Sequence, residues 1–336
     1  MNFYQGKHVL ITGATGFVGG HLTTRMLNCG ARTRVLVRNN SAPEKVKQLT
    51  SAGAEICRGD VTDRDTVFAA VKGCNYVFHI AALFRQAKFS DEVYFQVNVE
   101  GTRNVLDAAE VFAVKRVIHC STVGVHSHIP SPPANEDEPY RPGDIYQQTK
   151  CEGEKLALER FRSGSVEGVV VRPAMIWGEG DRRMLKLYRG VKKRRFPVIG
   201  SGKTLTHWVY VHDLVNGMLL AGEKLEAAGQ IYIFAGERPA SISELIETVA
   251  KNAGVRPLPL KIPAAPVQFL GSCMEAICKP FGVEPPIYRR RVDFFTKSRS
   301  FDTGKAQRQL GYRAGQDFET EVKNIYNWYK KHNWLD

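Results

Sequence analysis

The sequence predicts an α/β fold, a doubly wound parallel sheet joined to a smaller C-terminal part. Three observations predict it. A glycine-rich turn, Gly13-Ala14-Thr15-Gly16-Phe17-Val18-Gly19, stands between a short apolar run and a helical pattern. Apolar runs then alternate with amphipathic segments through residues 1–172, the pattern of a parallel sheet covered on both faces. A break rich in proline, serine and acid, Ser127 to Pro142, reads as a long loop at the carboxyl edge of the sheet, where open α/β sheets bind ligands.

The first strand is His8 to Ile11. In the helix after it Phe17, Leu22, Met26 and Leu27 share a face. The three glycines between have separate tasks. Gly13 allows a sharp exit from the strand, Gly16 leaves room for a pyrophosphate against the backbone, and Gly19 lets the helix lie close on the sheet. The helix N-terminus offers unpaired N–H groups and a positive dipole end, so the stretch predicts dinucleotide binding. Further strands are expected at Thr33 to Val37, Glu55 to Cys57, Tyr76 to Ile80, Arg116 to Cys120 and Val166 to Val171, with helices at Val99 to Phe112 and Tyr146 to Phe161. Crossovers should be right-handed.

Beyond Arg172 the pattern changes. Arg182, Arg183, Lys186, Arg189, Lys192, Lys193, Arg194 and Arg195 crowd one helical segment, either as a solvated face or as a grip on an anionic substrate. Ser241 to Ala253 reads as a helix capped by Ser241 or Ser243. Pro257 to Pro266 reads as a linker, Val267 to Phe281 as a lid or packing helix too short to span a bilayer, with a membrane-surface contact as the alternative, and Phe318 to Lys331 as a terminal amphipathic helix.

Composition narrows the class. At 336 residues and 43% apolar, with no internal repeat or disordered tract, the chain suits one large domain or two closely joined ones. No apolar run is long enough to cross a membrane and no signal peptide is visible. The seven cysteines are scattered without metal-like pairing, so no metal is expected, and reduced thiols in a cytoplasmic enzyme are the reading. The net charge of +13 favours anionic small ligands, and no specific nucleic-acid motif accompanies it.

Chemistry gathers at two places. Ser121 and Thr122 follow the fifth strand, and Tyr146 and Lys150 follow the proline-rich loop, one helical turn apart on one face. An ammonium there favours a phenolate and should lower the tyrosine pKa from its usual value of about 10. The phenol then serves as general acid or base, and the Thr122 hydroxyl can hold the reacting oxygen.

Taken in order, these motifs resemble the extended short-chain dehydrogenase/reductases, from about residue 6 to the C-terminus. The glycine motif is joined by Gly59-Asp60-Val61, His79-Ile80-Ala81-Ala82, Val97-Asn98-Val99-Glu100-Gly101-Thr102, Arg172-Pro173-Ala174-Met175-Ile176-Trp177-Gly178 and Val209-Tyr210-Val211-His212-Asp213-Leu214. The resemblance implies a Rossmann-type domain over 1–172, completed by part of 205–235, and a mainly substrate-binding part over 173–336. It implies Thr122, Tyr146 and Lys150 as the catalytic trio. For the cofactor it implies Gly13, Thr15, Gly16, Phe17, Val18, Arg38, Asp60, Val61, Ala81, Ala82, Asn98, Ser121, Tyr146, Lys150 and Pro173. Motif position makes Phe84, His126, Trp177 and Met184 candidate substrate residues.

Departures refine this. Val123-Gly124 stands where nucleotide-sugar dehydratases carry an acidic pair, and no asparagine lies in 174–176, where many epimerases carry one. The Arg-Pro-Ala-Met-Ile-Trp-Gly form is closer to the 3β-hydroxysteroid dehydrogenase and dihydroflavonol reductase branch, though some reductases of keto-sugar nucleotides have a similar form, and the stretch Pro286 to Asp293 resembles steroid-dehydrogenase-like bacterial proteins. Arg38 ends the second strand where an acidic residue would select NAD, so NADP is expected, with NAD as the alternative. The expected reaction is hydride transfer between a secondary alcohol and a ketone of a small-molecule substrate; nucleotide-sugar 4-epimerisation is the alternative. A homodimer is implied through the helices matching Val93 to Phe112 and Tyr146 to Phe161, with Val97, Val105, Leu106, Ala109, Leu156, Ala157 and Phe161 as its apolar positions.

Overall fold

The computed structural model describes residues 2–86, 89–127, 129–278 and 294–336, with the backbone alone at 275–277. Strand and helix alternate as β1 His8–Thr12, α1 Phe17–Asn28, β2 Arg32–Val37, α2 Pro43–Ser51, β3 Glu55–Arg58, α3 Arg64–Val71 and β4 Tyr76–His79. Helix α4 Asp91–Phe95 then passes through a π-helical turn, Gln96–Glu100, into α5 Gly101–Val111, followed by β5 Arg116–Cys120, α6 Ile145–Ser163 and β6 Gly168–Pro173. After β7 Met175–Trp177, α7 Leu185–Lys192, β8 Val198–Ile199, β9 Leu205–Thr206, β10 Trp208–Tyr210 and α8 Val211–Glu223, strand β11 Ile231–Phe234 returns to the first sheet. The remainder is β12 Ala240–Ser241, α9 Ile242–Ala253, β13 Lys261–Ile262, α10 Ala264–Cys278, α11 Gly304–Leu310 and α12 Phe318–Lys331.

The main sheet runs β3-β2-β1-β4-β5-β6-β11, parallel throughout. Its central strands β4, β5 and β6 are buried along their whole length, which is why they read as unbroken apolar runs instead of alternating ones. The order reverses between β1 and β4, and their carboxyl ends carry the glycine turn and the Ala81-Ala82 loop. This is the predicted doubly wound α/β sheet. A separate apolar core, built on Trp177, Trp208, Tyr188, Leu245, Val322 and Tyr329, fills the C-terminal part.

Several expectations change. The helix placed from Val99 begins at Asp91, and the π turn at its centre inserts a residue that breaks helical periodicity. The proline-rich linker contains β13, which pairs in parallel with β8. The basic segment is partly engaged within the chain. Arg189 donates to the Trp334 carbonyl, Lys192 bonds Leu335 and Asp336, Arg182 lies over the Trp334 ring, and Arg183 pairs with Asp181, while 193–195 stay exposed. Of the seven residues expected at a dimer face, Val105, Leu106, Ala109, Ala157 and Phe161 belong to the chain's own core, and only Val97 and Leu156 are part-exposed. The stretch 286–293 and residues 279–281 of the expected lid helix lie outside the described residues. No helix among the described residues is long and apolar enough to cross a membrane.

Candidate active site

The glycine turn is shaped by contacts a side chain would forbid. Gly13 sits at φ +76°, and a Cβ there would stand 2.8 Å from the Ala81 nitrogen. A Cβ on Gly19 would come within 2.2 Å of the Gly13 carbonyl oxygen, so α1 lies against the turn with no room between. Gly16 is the N-cap of α1, offers no side chain to the first-turn N–H groups, and is exposed; the first turn carries no acidic residue. Those donors and the positive end of the helix dipole are left facing an anionic group, so the turn fits the pyrophosphate of a dinucleotide. Phe17 packs edge-on against His21 with Arg183 over its ring, and Thr15 and Val18 are half-buried beside it.

Farther along the edge, Arg38 is exposed at the end of β2, its guanidinium without a partner among the described residues. Arg58, at the end of β3, reaches over to donate to the Arg38 carbonyl at 3.3 Å, a second cation that strand spacing did not reveal. Asp60 binds the backbone and hydroxyl of Thr62, and buried Val61 follows it.

The trio assembles where β5 ends against the start of α6. Asp144 caps α6 by accepting from the Gln147 amide at 2.7 Å, fixing the first turn on which Tyr146 sits. The Thr122 hydroxyl lies near enough to the Tyr146 phenol to favour its ionised form, and accepts from the Gly124 amide at 3.0 Å. Lys150, one turn on and buried, donates to the Cys120 carbonyl at 2.7 Å. Burial therefore outweighs the expected lowering of the phenol. Tyr146 is pushed up to about 12, against the pull of Arg85, the Thr122 hydroxyl and Arg183. Desolvation also lowers the Lys150 ammonium.

Behind the trio lies a buried polar network. Arg172 pairs with Glu154 at 2.6 Å, Glu154 also accepts from Ser121 and from Tyr140 at 2.7 Å, and Arg172 reaches the Tyr140 hydroxyl, the Glu136 carbonyl and His126. Ser121 is thus committed to Glu154. Asn98, buried on the π turn, accepts from the Leu83 amide at 2.8 Å and donates to Thr149 at 2.9 Å. It thereby holds the loop carrying Ala81, Ala82, Phe84 and Arg85 onto α6. Pro173 closes β6, buried, beside this edge.

Of the four candidate substrate residues, only Phe84 reaches the trio, 44% exposed with its ring centroid 5.0 Å from that of Tyr146. His126 is turned inward by the short 3-10 turn Val123–His126, where it accepts from Arg172 and bonds the Pro139 carbonyl. Trp177 is fully buried, stacked on Trp208 and donating to Glu321 at 2.7 Å, and Met184 belongs to the same core. Arg85, which spacing did not single out, lies with its guanidinium carbon 5.0 Å from the Tyr146 ring centroid.

Residues 9–235 match the model of the NAD dependent epimerase/dehydratase family. The chain belongs to that family. It is 32% identical over 311 residues, 90% of each chain, to the 4-hydroxy-2-methyl-3-oxo-4-farnesyl-3,4-dihydroquinoline-1-oxide ketoreductase of Stigmatella aurantiaca. It is also 32% identical over 322 residues to a 3 beta-hydroxysteroid dehydrogenase/Delta 5-->4-isomerase of Mycobacterium tuberculosis, covering 90% of this chain and 85% of that one. Among solved structures, gox2253 superposes with a TM-score of 0.81 at 29% identity, covering 98% of this chain and all of the other. The chain is a nicotinamide-dependent dehydrogenase/reductase of the extended short-chain family, in its 3β-hydroxysteroid dehydrogenase-like branch.

Proposed function

We propose that the protein interconverts a secondary alcohol and a ketone on a bulky apolar molecule, with Tyr146 as general acid and base. One observation carries this reading: the Thr122 hydroxyl meets the buried phenol of Tyr146 on the same sheet edge as the glycine turn, with Lys150 one turn behind. A bound nicotinamide supplies or accepts the hydride. Thr122 holds the substrate oxygen against Tyr146, which gives that oxygen a proton in reduction and takes it in oxidation. Lys150 braces the strand end through the Cys120 carbonyl and would hold the ribose of a bound nicotinamide cofactor. Phe84, exposed against the phenol, offers an apolar wall. The two relatives above are named for a farnesyl-bearing dihydroquinoline oxide and a 3β-hydroxysteroid, which supports the substrate class. Residues 173–336, with their own core, are assigned mainly to substrate binding.

Arg38 and Arg58, side by side with no carboxylate at the end of β2, favour a 2′-phosphate and hence NADP. A homodimer across α5 and α6 is inferred on Val97, Leu156 and the 64%-exposed Val111; one mass in light scattering at all micromolar concentrations, equal to a single chain, would refute it.

The reaction is tested by following reduced-nicotinamide absorbance with 3β-hydroxysteroids and with ring ketones, using either cofactor. Stoichiometric change, lost by at least ~10²-fold in Tyr146→Phe with cofactor affinity kept, is the expected result. Full turnover in Tyr146→Phe would overturn the mechanism. Epimer formation with no net absorbance change would assign the site to nucleotide-sugar 4-epimerisation instead.

A further inference from the structure

We propose that Arg85 is a positioning residue for the catalytic phenol, a cation held over the Tyr146 ring that favours its ionised form. The inference rests on the reading of Tyr146 as acid and base. Its ground is geometric. The guanidinium carbon of Arg85 lies 5.0 Å from the Tyr146 ring centroid and 5.2 Å from that of Phe84, and the two rings meet edge-on. Such a distance is within the range of a cation–π contact. Ionising a phenol pushes negative charge into its ring, so a cation over that ring gains more from the phenolate than from the phenol.

The placement of Arg85 is fixed at both ends. Its Nε donates to Oδ2 of Asp144 at 3.0 Å, while Oδ1 of the same carboxylate caps α6 through the Gln147 amide. Its backbone belongs to a loop pinned on one side by Leu83 to Asn98 and on the other by the Gln86 amide to the Tyr94 hydroxyl at 2.6 Å. Helix cap, catalytic ring and cation therefore form one unit. Lys150, by contrast, directs its ammonium to the Cys120 carbonyl. The other groups near the phenol are the Thr122 hydroxyl, the Cys120 thiol, which opposes ionisation, Arg183, which favours it from the segment before α7 and is paired with Asp181, and the Asp144 carboxylate, which pairs with Arg85 and screens part of its charge. Arg85 is the largest of the influences that pull the phenol down from its burial-raised value.

The test reads the phenol directly. Protein labelled with 13Cζ-tyrosine is saturated with oxidised NADP, whose cationic nicotinamide would draw the phenol down from the value of about 12 it has without cofactor, and is titrated by NMR from pH 6 to pH 11; Tyr146→Phe identifies the resonance. Arg85→Gln should raise the midpoint of that resonance by about one pH unit, the scale of a close, partly screened charge. Arg85→Lys should restore most of it, and cofactor affinity and melting temperature should stay unchanged in both. An unchanged midpoint in Arg85→Gln, an equal shift in Arg85→Lys, or a wild-type phenol neutral up to pH 11 overturns the proposal. The titration does not depend on turnover. A fully active Tyr146→Phe enzyme would defeat the reading of the reaction while leaving an observed Arg85 shift in place, and an absent shift defeats the role of Arg85 alone.

Discussion

Arg172 and Glu154 are 1% and 0% exposed, one at the end of β6 and one on α6, and Ser121, Tyr140 and His126 converge on them behind Thr122, Tyr146 and Lys150. A buried pair of this kind adds little over an apolar filling, but removing one partner strands a charge, at a cost of about 3–5 kcal/mol. Glu154→Leu should therefore lower the unfolding free energy by that order in urea titration. Replacing both residues by apolar ones of similar volume should cost markedly less, because no charge is left unpaired. The same residues show what spacing can and cannot convey. Tyr146 and Lys150 are legible because a helix turns every four residues to one face, and Thr122 because it follows a strand end. His126 is only four residues beyond Thr122, yet a single 3-10 turn rotates it onto Arg172, and Trp177 belongs to a legible motif but lies inside the second core. Which way such side chains face is set by partners distant in sequence, Glu321 for Trp177 and Arg172 for His126. Arg85 was missed for the same reason, since its partners Asp144 and Tyr146 come some sixty residues later.

Among elements, α1 is the most tightly constrained. A methyl group on Gly19 would occupy the space of the Gly13 carbonyl, so Gly19→Ala must push α1 from the sheet and displace the phosphate-facing N–H groups with it. The expected outcome is a loss of nicotinamide-cofactor affinity of at least tenfold by isothermal titration, well beyond the few-fold change expected of Gly20→Ala, where the nearest atom to a new Cβ is 3.6 Å away; equal losses at the two positions would refute the close-packing argument. Helix α9 offers a milder case. Its Ser241 and Glu244 form a reciprocal capping box, and Ser241→Ala should cost about 1 kcal/mol in thermal unfolding. Both caps and glycines are local signals, which is why the sequence locates these helix starts closely. The π turn at 96–100 and the pairing of β8 with β13 are not local. One is an insertion invisible to a fixed period, and the other joins residues more than sixty positions apart.

For the molecule as a whole, opposed groups shape the dependence of stability on pH. His79 and His119, paired across β4 and β5 above Lys150, are kept neutral by burial, His79 down to about 3, and both ring nitrogens of His119 lack a hydrogen-bond partner. A depressed histidine pKa means the unfolded chain binds the proton more readily, so their contribution is present above about 6.5 and falls away as acid is added. Glu321, on α12 beneath Trp177, behaves in the opposite sense. Burial raises its carboxyl to about 8, with Asp213 adding to the rise and the Trp177 hydrogen bond opposing it. Here the native state holds the proton more tightly than the unfolded one. The stabilisation is complete below the unfolded value of 4.5 and is lost as pH climbs through about 8. Glu321→Gln keeps an acceptor for the indole N–H but cannot ionise. Relative to wild type it should be close to neutral at pH 5 and more stable by on the order of 1 kcal/mol or more at pH 9. The stability maximum should therefore move toward higher pH, because the histidine limb is untouched while the limb on the alkaline side is removed. Melting temperatures at half-unit steps from pH 5 to pH 9 decide the matter, and parallel curves for the two proteins would show that Glu321 is ionised throughout.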